Sequence, residues 1–182
     1  MSELLTPDLT LKTGEELRLR RLTESDASDL VRIRANDEFI RWADPVAITY
    51  EKAVEVIERA NAPWETTLAL LLAMTARDDD TPLGTIGLAF DARTRARVGY
   101  DVAPDCRGQG FATASLRLVS RWAFNSWPGL DRLEALIVPG NDASVLVAER
   151  AGFQREDIAR SRLPFGDEFR DVIVYSLIRG DL

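Results

Sequence analysis

The sequence predicts one α/β domain, in which strands and amphipathic helices share a core. Strand-length apolar runs alternate with helix-length amphipathic segments along most of the chain. The 182 residues are enough for one well-buried core and few for two, and no repeat, low-complexity tract or linker divides them. We therefore expect residues 1–182 to form a single domain.

The N-terminal third predicts a strand followed by two helices. Leu17–Thr23 alternates apolar and basic residues, as a half-buried strand does. Ser25 or Asp26 can cap a first helix, because either side chain can accept a hydrogen bond from a first-turn N–H. A second helix fits Tyr50–Asn61, and Pro63 ends it, since proline lacks the N–H that would continue a helix.

The middle of the chain predicts a β-hairpin, a further strand and the longest helix. Leu68–Thr75 and Leu83–Asp91 are the expected strands of the hairpin, joined by the turn sequence RDDDTP. Arg97–Ala103 predicts the next strand. Phe111–Trp127 predicts an amphipathic helix, with Ser120 on its polar face.

The C-terminal third predicts one short helix among strands. Asn141 or Asp142 is the expected cap of this helix, and Gly152 its stop. Three strands complete the pattern, over Leu133–Val138, Phe153–Arg162 and Val172–Ile178.

Composition excludes several kinds of catalytic site. The chain contains no histidine, which removes Ser-His-Asp and Cys-His nucleophile systems, the HExxH zinc motif and other histidine-containing metal sites. Cys106 is the single cysteine, so no internal disulfide can form and a reducing compartment suits the chain. As a nucleophile Cys106 would lack its usual base. We expect no metal cofactor.

Hydropathy and charge indicate a cytoplasmic protein that binds neither membrane nor nucleic acid. The longest apolar run, Leu68–Met74, is far shorter than the roughly 18 residues of a membrane span, and the N-terminus lacks the basic-then-apolar order of a signal peptide. Net charge is −7: residues 1–90 hold 10 basic and 17 acidic residues, whereas residues 91–182 hold 13 of each. An acidic half favours a cationic partner over a nucleic-acid backbone.

A glycine-containing loop, DCRGQGFAT, lies between a predicted strand and the longest helix. The first-turn N–H groups of a helix have no internal partners and bind phosphate, and Gly108 and Gly110 let the backbone approach an anion closely. Arg107 adds a charged fork. A Walker A loop would need Lys where Phe111 stands, and a dinucleotide fingerprint would need Gly where Thr113 stands. The loop alone predicts either a phosphate site or a plain glycine-rich helix entry.

The surrounding segments resemble a known family. RGQGFA (Arg107–Ala112) matches the Arg/Gln-x-x-Gly-x-Gly/Ala signature of the GNAT superfamily of acyl-CoA-dependent N-acyltransferases. VGYDVAPDCRGQGFAT is similar to its fourth strand, loop and long helix, and LEALIVPGNDASVLVAERAGF to its fifth strand, Asn-x-x-Ser turn and short helix. LRLRRLTESDASDL and DVIVYSLI fit the branch of the ribosomal-protein N-terminal (alanine/serine) acetyltransferases, so the resemblance covers nearly the whole chain.

The resemblance implies a fold and a co-substrate. The GNAT fold is a central mixed, mostly antiparallel sheet of about six to seven strands, with the fourth and fifth splayed apart, flanked by about four helices. Acetyl-CoA would lay its pantetheine arm along Val102 and Ala103, with Asn141 and Ser144 beside the thioester. Its pyrophosphate would lie on the loop amides of Arg107, Gly108, Gly110, Phe111, Ala112 and Thr113. Arg150 could reach the 3′-phosphate or be an ordinary surface residue.

The acceptor implied by the resemblance is a primary amine, from a peptide N-terminus or a small molecule. It would enter over the first two helices, which places FIRWADP at the mouth of the site, with Phe39, Trp42 and Tyr100 as candidate acceptor-binding residues. Phe39 and Trp42 fit equally well as core residues between helices.

The catalytic groups are the part of the resemblance where this sequence departs from the family. Four positions at which family members carry an acid or a base hold Arg97, Ala114, Ala148 and Leu163. Ser144 remains as a candidate proton donor, and Asp101 and Glu134 are the carboxylates nearest the expected splay. The leading hypothesis is an N-acetyltransferase. The alternatives are an acyl-CoA-binding module without catalysis and a partner-binding protein with a vestigial CoA site. The oligomeric state expected is monomer or homodimer.

Overall fold

A computed structural model of the chain describes residues 9–10, 17–62, 68–92 and 94–182. The strands of this part are β1 (Leu9–Thr10), β2 (Leu17–Arg21), β3 (Ala69–Ala76), β4 (Asp79–Ala92), β5 (Arg95–Val102), β6 (Arg132–Ile137), β7 (Gln154–Phe165) and β8 (Glu168–Ile178). The helices are α1 (Ala27–Arg34), α2 (Asp37–Trp42), α3 (Tyr50–Asn61), α4 (Phe111–Ser126) and α5 (Asp142–Arg150).

All eight strands form one sheet in the order β1-β2-β3-β4-β5-β6-β8-β7. Every neighbouring pair is antiparallel except β5–β6, which is parallel. The mixed, mostly antiparallel sheet is confirmed. The extra strand relative to the expectation of six to seven is the two-residue β1, so the expected fourth and fifth strands are β5 and β6.

The splay between β5 and β6 is the feature of the sheet that positions the site. Their pairing is confined to Arg95–Arg132, Ala96–Leu133 and Arg97–Glu134. Beyond these pairs β5 runs on to Val102 and β6 to Ile137 without a ladder between them. The predicted splay is confirmed.

Helices cover both faces of the sheet. On one face α4 buries Leu116, Val119 and Phe124 against the central strands, in the larger of two apolar clusters. On the other face Leu30 of α1 and Ile57 of α3 form the smaller cluster with neighbouring residues of the sheet. Apolar side chains recur on one side of each helix, and burying that side against the sheet stabilises both.

Several local expectations were wrong in detail. Ser120 is buried rather than on the polar face of α4. A 3-10 turn at Glu24–Asp26 precedes α1, and the Asp26 carboxylate accepts from the Thr23 N–H at 2.7 Å and from Arg20, so it anchors this turn rather than capping α1. Strands β7 and β8 are longer than predicted, because they pair with each other as a hairpin beyond the end of β6.

Two predictions concern residues outside the described part: the effect of Pro63 at the end of α3, and the character of the first eight residues. Within the described ranges, no helix combines the length and the apolar character that crossing a membrane requires.

Candidate active site

The splay opens a cavity of about 500 Å³ between the two faces of the sheet. Its walls are the diverging ends of β5 and β6, the loop before α4, the first turns of α4 and α5, and one side of α2. Most of the residues predicted from the sequence as site residues lie in these walls: Phe39, Trp42, Tyr100, Asp101, Val102, Arg107, Gly108, Gly110, Phe111, Ala112, Thr113, Asn141 and Ser144. Ala103 and Glu134 do not.

The loop before α4 presents unpaired amides to this cavity. Gly108 and Gly110 have φ angles of 75° and 88°, a left-handed conformation that glycine adopts without steric cost. The first helical hydrogen bond runs from the Ala114 N–H to the Gly110 carbonyl at 3.0 Å. The N–H groups of the first turn, from Phe111 to Thr113, therefore have no partner within the helix and lie at the positive end of its dipole. This arrangement fits the pyrophosphate of acetyl-CoA.

The Arg107 side chain does not reach over the loop, as a phosphate-binding fork would. Its guanidinium donates to the Asn36 side-chain oxygen at 2.9 Å and to the Val102 carbonyl at 3.2 Å. It also forms an ion pair with Glu38, at 2.5 Å. The side chain of Arg107 thus faces the beginning of α2, while its backbone belongs to the loop.

The register of β4 and β5 decides which backbone groups face the splay. Ala103 donates to the Leu83 carbonyl at 2.9 Å, and its own carbonyl accepts from the Cys106 N–H at 2.9 Å. Hydrogen-bonded and non-hydrogen-bonded pairs alternate along an antiparallel ladder, so Val102, opposite Gly84, directs its peptide groups away from β4. Val102 remains suited to pair with a pantetheine arm. Ala103 already uses its N–H and one lone pair of its carbonyl within the protein, so Val102 is the better placed of the two predicted partners.

Asn141, Ser144 and Tyr100 meet at the start of α5. The Asn141 side-chain oxygen accepts from the Ser144 N–H at 3.1 Å and caps the helix, as predicted. The Tyr100 hydroxyl donates to the Ser144 carbonyl at 3.0 Å. Burial raises the pKa of Tyr100 from 10 to about 12, so its hydroxyl keeps its proton well above neutral pH. Tyr100 therefore lies beside the predicted thioester end of the cavity, on the α5 face of β5.

Asp101 lies on the opposite face of β5, because successive side chains of a strand alternate. Its Oδ2 atom is 3.0 Å from a guanidinium nitrogen of Arg34 and accepts from the Thr85 hydroxyl at 3.1 Å. A Cβ at Gly84 would lie 2.3 Å from the Asp101 carbonyl oxygen, so the backbone here tolerates only glycine at that position. Asp101 lines the cavity as an ion-paired carboxylate.

Glu134 lies outside the site. It pairs with Arg97 in the short stretch where β5 and β6 are still joined, and its Oε1 atom is 2.7 Å from Arg132 Nε. Glu134 is thus near the splay, as predicted, in the last pair before the strands diverge, but its side chain is not among the cavity walls. This carboxylate takes part in an ion pair of the sheet rather than in the cavity.

Phe39 and Trp42 form the α2 side of the mouth. Both are half-buried, and neither belongs to the two buried apolar clusters of the described residues. The Trp42 ring carries the Arg41 guanidinium 4.4 Å above its centre, and its Cη2 atom is 3.6 Å from the position a Cβ would take at Gly140. Trp42 thus spans from α2 to the β6–α5 loop. This placement favours the mouth over the core.

Four polar residues around the cavity were not predicted from the sequence: Arg34, Asn36, Glu38 and Thr85. For Asn36 the sequence NDEF contains a signal, because an Asn followed by acidic residues commonly begins a helix. Arg34, Glu38 and Thr85 belong to the site because of contacts with residues more than 15 positions away in the chain. Leu163, at a position where family members carry an acid, and Arg150, the candidate contact of the 3′-phosphate, both line the cavity.

The fold and this cavity define a class of acyl-CoA-dependent transferases, and comparison with known proteins agrees. The family described as Acetyltransferase (GNAT) domain matches residues 16–154. YdaF of Bacillus subtilis, a candidate ribosomal N-acetyltransferase, is 34% identical over 181 residues, which cover 93% of this chain and 95% of YdaF.

Solved structures extend the likeness over nearly the whole chain. A candidate ribosomal-protein-serine acetyltransferase from Vibrio cholerae has a TM-score of 0.78 at 26% identity, covering 96% of this chain and 99% of the other. The microcin C7 self-immunity acetyltransferase MccE, solved with acetyl-CoA and AMP, has a TM-score of 0.80 at 19% identity, covering 97% and 99%. That last likeness concerns the fold.

The chain belongs to the GNAT acetyltransferase family. It is an N-acetyltransferase that uses acetyl-CoA. The structure gives the position of each residue discussed above, and the role of each in binding cofactor or acceptor or in catalysis stays a prediction.

Proposed function

We propose that this chain acetylates N-terminal α-amines of peptides or proteins, or small amines of similarly low pKa. The observation that carries the proposal is the state of the acids in the cavity. Among the described residues of its walls only Glu38 and Asp101 are carboxylates, and each is ion-paired with an arginine, Arg107 or Arg34. The chain has no histidine, so the described residues of these walls offer no unpaired base to an incoming ammonium.

The absence of an unpaired base in these walls bears on the acceptor, because only the neutral amine attacks the thioester. An α-amine with a pKa of about 8 is roughly one quarter neutral near pH 7.5, whereas a lysine with a pKa of about 10.4 is neutral to about one part in a thousand. A well-placed base can offset this difference, since it contributes about 10²–10⁴ in rate. Without one, an amine of low pKa is the better acceptor.

The rest of the chemistry needs few groups. The amine nitrogen bonds to the acetyl carbon and releases one proton to solvent, the carbon–sulfur bond breaks, and the CoA thiolate takes up a proton. Ser144 and Tyr100 are the hydroxyls at the expected thioester end, and the protonated Tyr100 hydroxyl donates to the Ser144 carbonyl at 3.0 Å. Ser144 can donate that proton or stabilise the developing charge, and Tyr100 can do so by exchanging its bond to the Ser144 carbonyl. The names of the ribosomal relatives also favour a protein N-terminus as acceptor.

The test uses one peptide that carries a free N-terminus and an internal lysine. After reaction with acetyl-CoA at neutral pH, fragmentation mass spectrometry locates the acetyl group. We expect modification of the α-amine to predominate, and release of free CoA thiol to depend on the peptide. The matched control is the same peptide with a blocked N-terminus, which should react slowly.

Two outcomes would contradict the proposal. Predominant lysine acetylation at neutral pH would mean that the site contains an effective base, with Asp101 the first carboxylate to examine. Tight CoA binding without thiol release for any amine would indicate an acyl-CoA-binding module instead.

A further inference from the structure

Asn36 joins three parts of the molecule at the beginning of α2. Its side-chain nitrogen donates to the Ile33 carbonyl at the end of α1, at 2.7 Å. Its side-chain oxygen accepts from the Phe39 N–H at 3.2 Å and from the Arg107 guanidinium at 2.9 Å. One amide therefore fixes the first turn of α2, which carries Phe39, and connects it to the loop before α4.

Glu38 adds a second link between the same two segments. Its carboxylate is 2.5 Å from a guanidinium nitrogen of Arg107, and it lies in the cavity wall. Arg107 is in turn tied to β5 through the Val102 carbonyl. That carbonyl has a second lone pair and can still accept a hydrogen bond from a bound ligand, so the two uses are compatible.

We propose that Asn36 and Glu38 are positioning residues of the acceptor site, acting through Arg107. Ordering the loop by acetyl-CoA orders the Arg107 backbone, and the Arg107 side chain then holds the first turn of α2 and with it Phe39 and Trp42. Binding of CoA on one side of β5 thereby prepares the acceptor side. The inference rests on the proposed function, because it takes the α2 wall as the acceptor side.

The first experiment needs no acceptor. Amide hydrogen exchange of the segment 37–44 is measured by mass spectrometry with and without saturating coenzyme A. The amides of Ile40, Ala43 and Asp44 report directly, since they bond to the Asn36 and Phe39 carbonyls. We expect CoA to slow exchange in the parent, and to have little effect in Glu38→Gln combined with Asn36→Ser. Serine keeps the helix cap but is too short to reach Arg107.

The matched control is Asp37→Asn, which removes one negative charge from the same turn without altering the Arg107 contacts. CoA should protect this variant as it does the parent. Equal protection by CoA in the double variant, or no protection in the parent, would overturn the proposal. Glu38→Gln alone repeats the measurement without touching the cap, in case the double variant does not fold.

Kinetics provide the second readout, with whichever amine the enzyme accepts. The ion pair is partly exposed, with side-chain exposures of 35% for Arg107 and 62% for Glu38, so its effect is modest. We expect Glu38→Gln to raise the acceptor KM by up to about fivefold and to leave the Kd for CoA within about twofold of the parent. An unchanged acceptor KM together with weakened CoA binding would assign Arg107 to the cofactor and overturn the proposal. If the enzyme does not prefer α-amines, the comparison of the parent with Glu38→Gln can still be interpreted, because it can be made with any accepted amine.

Discussion

At the level of single residues, the two hydroxyls at the start of α5 have distinct environments. The Tyr100 hydroxyl donates to the Ser144 carbonyl and is buried, whereas Ser144 places its own N–H on the Asn141 cap. Burial disfavours the charged phenolate, so the pKa of Tyr100 rises to about 12. The proton on Tyr100 is therefore present over the whole pH range in which an amine acceptor loses its own.

This raised pKa predicts the form of the pH–rate profile. We expect kcat/KM to rise as the acceptor amine deprotonates and then to stay level up to about pH 10, because Tyr100 does not ionise below that pH. Steady-state rates with acetyl-CoA between pH 6 and pH 10 test this. A fall above pH 8.5 that disappears in Tyr100→Phe would contradict the assigned pKa.

The two hydroxyls can be separated by substitution. Ser144→Ala should lower kcat more than KM if the serine assists the leaving thiolate, since that help is felt in the transition state. Full activity in Ser144→Ala with a lowered kcat in Tyr100→Phe would assign the proton to the tyrosine.

At the level of elements, the junction of β5, the loop and α4 carries the cofactor site. The left-handed conformation of Gly110 ends the loop and starts the helix, and a Cβ at this position would meet no atom within 4 Å. The glycine is therefore required by its φ angle rather than by crowding within the protein. The open space above it is where a bound phosphate would lie.

Gly110→Asp should weaken CoA binding strongly. The change puts a negative charge and a side chain against the pyrophosphate, at a cost of about 2–3 kcal/mol, or roughly 30- to 150-fold in Kd. Calorimetric titration with coenzyme A measures it. Gly110→Asn is the matched control, because asparagine has the same shape, tolerates a left-handed φ and carries no charge. A Kd in Gly110→Asp equal to that of the control would remove the loop from the phosphate site.

At the level of the whole molecule, ion pairs across the C-terminal strands make the stability of the fold depend on pH. Arg132 of β6 contacts Glu156 of β7 at 2.6 Å, and Ser176 of the intervening β8 donates to the same carboxylate at 2.7 Å. The Arg132 guanidinium and the Ser176 hydroxyl lower the pKa of Glu156 from 4.5 to about 2. A carboxylate with a lowered pKa in the folded chain stabilises the fold above its unfolded pKa and loses this contribution as pH falls toward about 2.

Glu156→Gln should therefore lower the melting temperature at pH 6 and have little effect at pH 2. The side chain of Glu156 is 43% exposed, so the contribution is about 0.5 kcal/mol, or about 1–2 °C. Thermal unfolding at the two pH values measures the difference. Glu55→Gln, in an exposed ion pair with Lys52 on α3, is the control and should change little at either pH. Equal destabilisation by Glu156→Gln at both pH values would mean that its effect is not electrostatic.

Local signals in the sequence determined most elements and the cofactor loop. Tyr50–Asn61 is a helix over the residues predicted, and Asn141 caps α5 as expected, because periodicity and capping depend on residues close together in the chain. The glycines of the loop were informative for the same reason, since a positive φ is a local requirement. The splay between β5 and β6 was predicted only from the resemblance to the GNAT family, because no local pattern in the sequence indicates it.

Only the tertiary structure decided which side chains meet. Asp101 pairs with Arg34 and Arg107 with Asn36 across 67 and 71 residues of sequence, so no local pattern could show that these charges are already partnered. The ladder between β4 and β5 and the length of the β5–β6 pairing decide what Ala103 and Glu134 can contact. Hydrogen-bond register and long-range ion pairs are properties of the packed sheet, and they determine what this cavity offers to an amine.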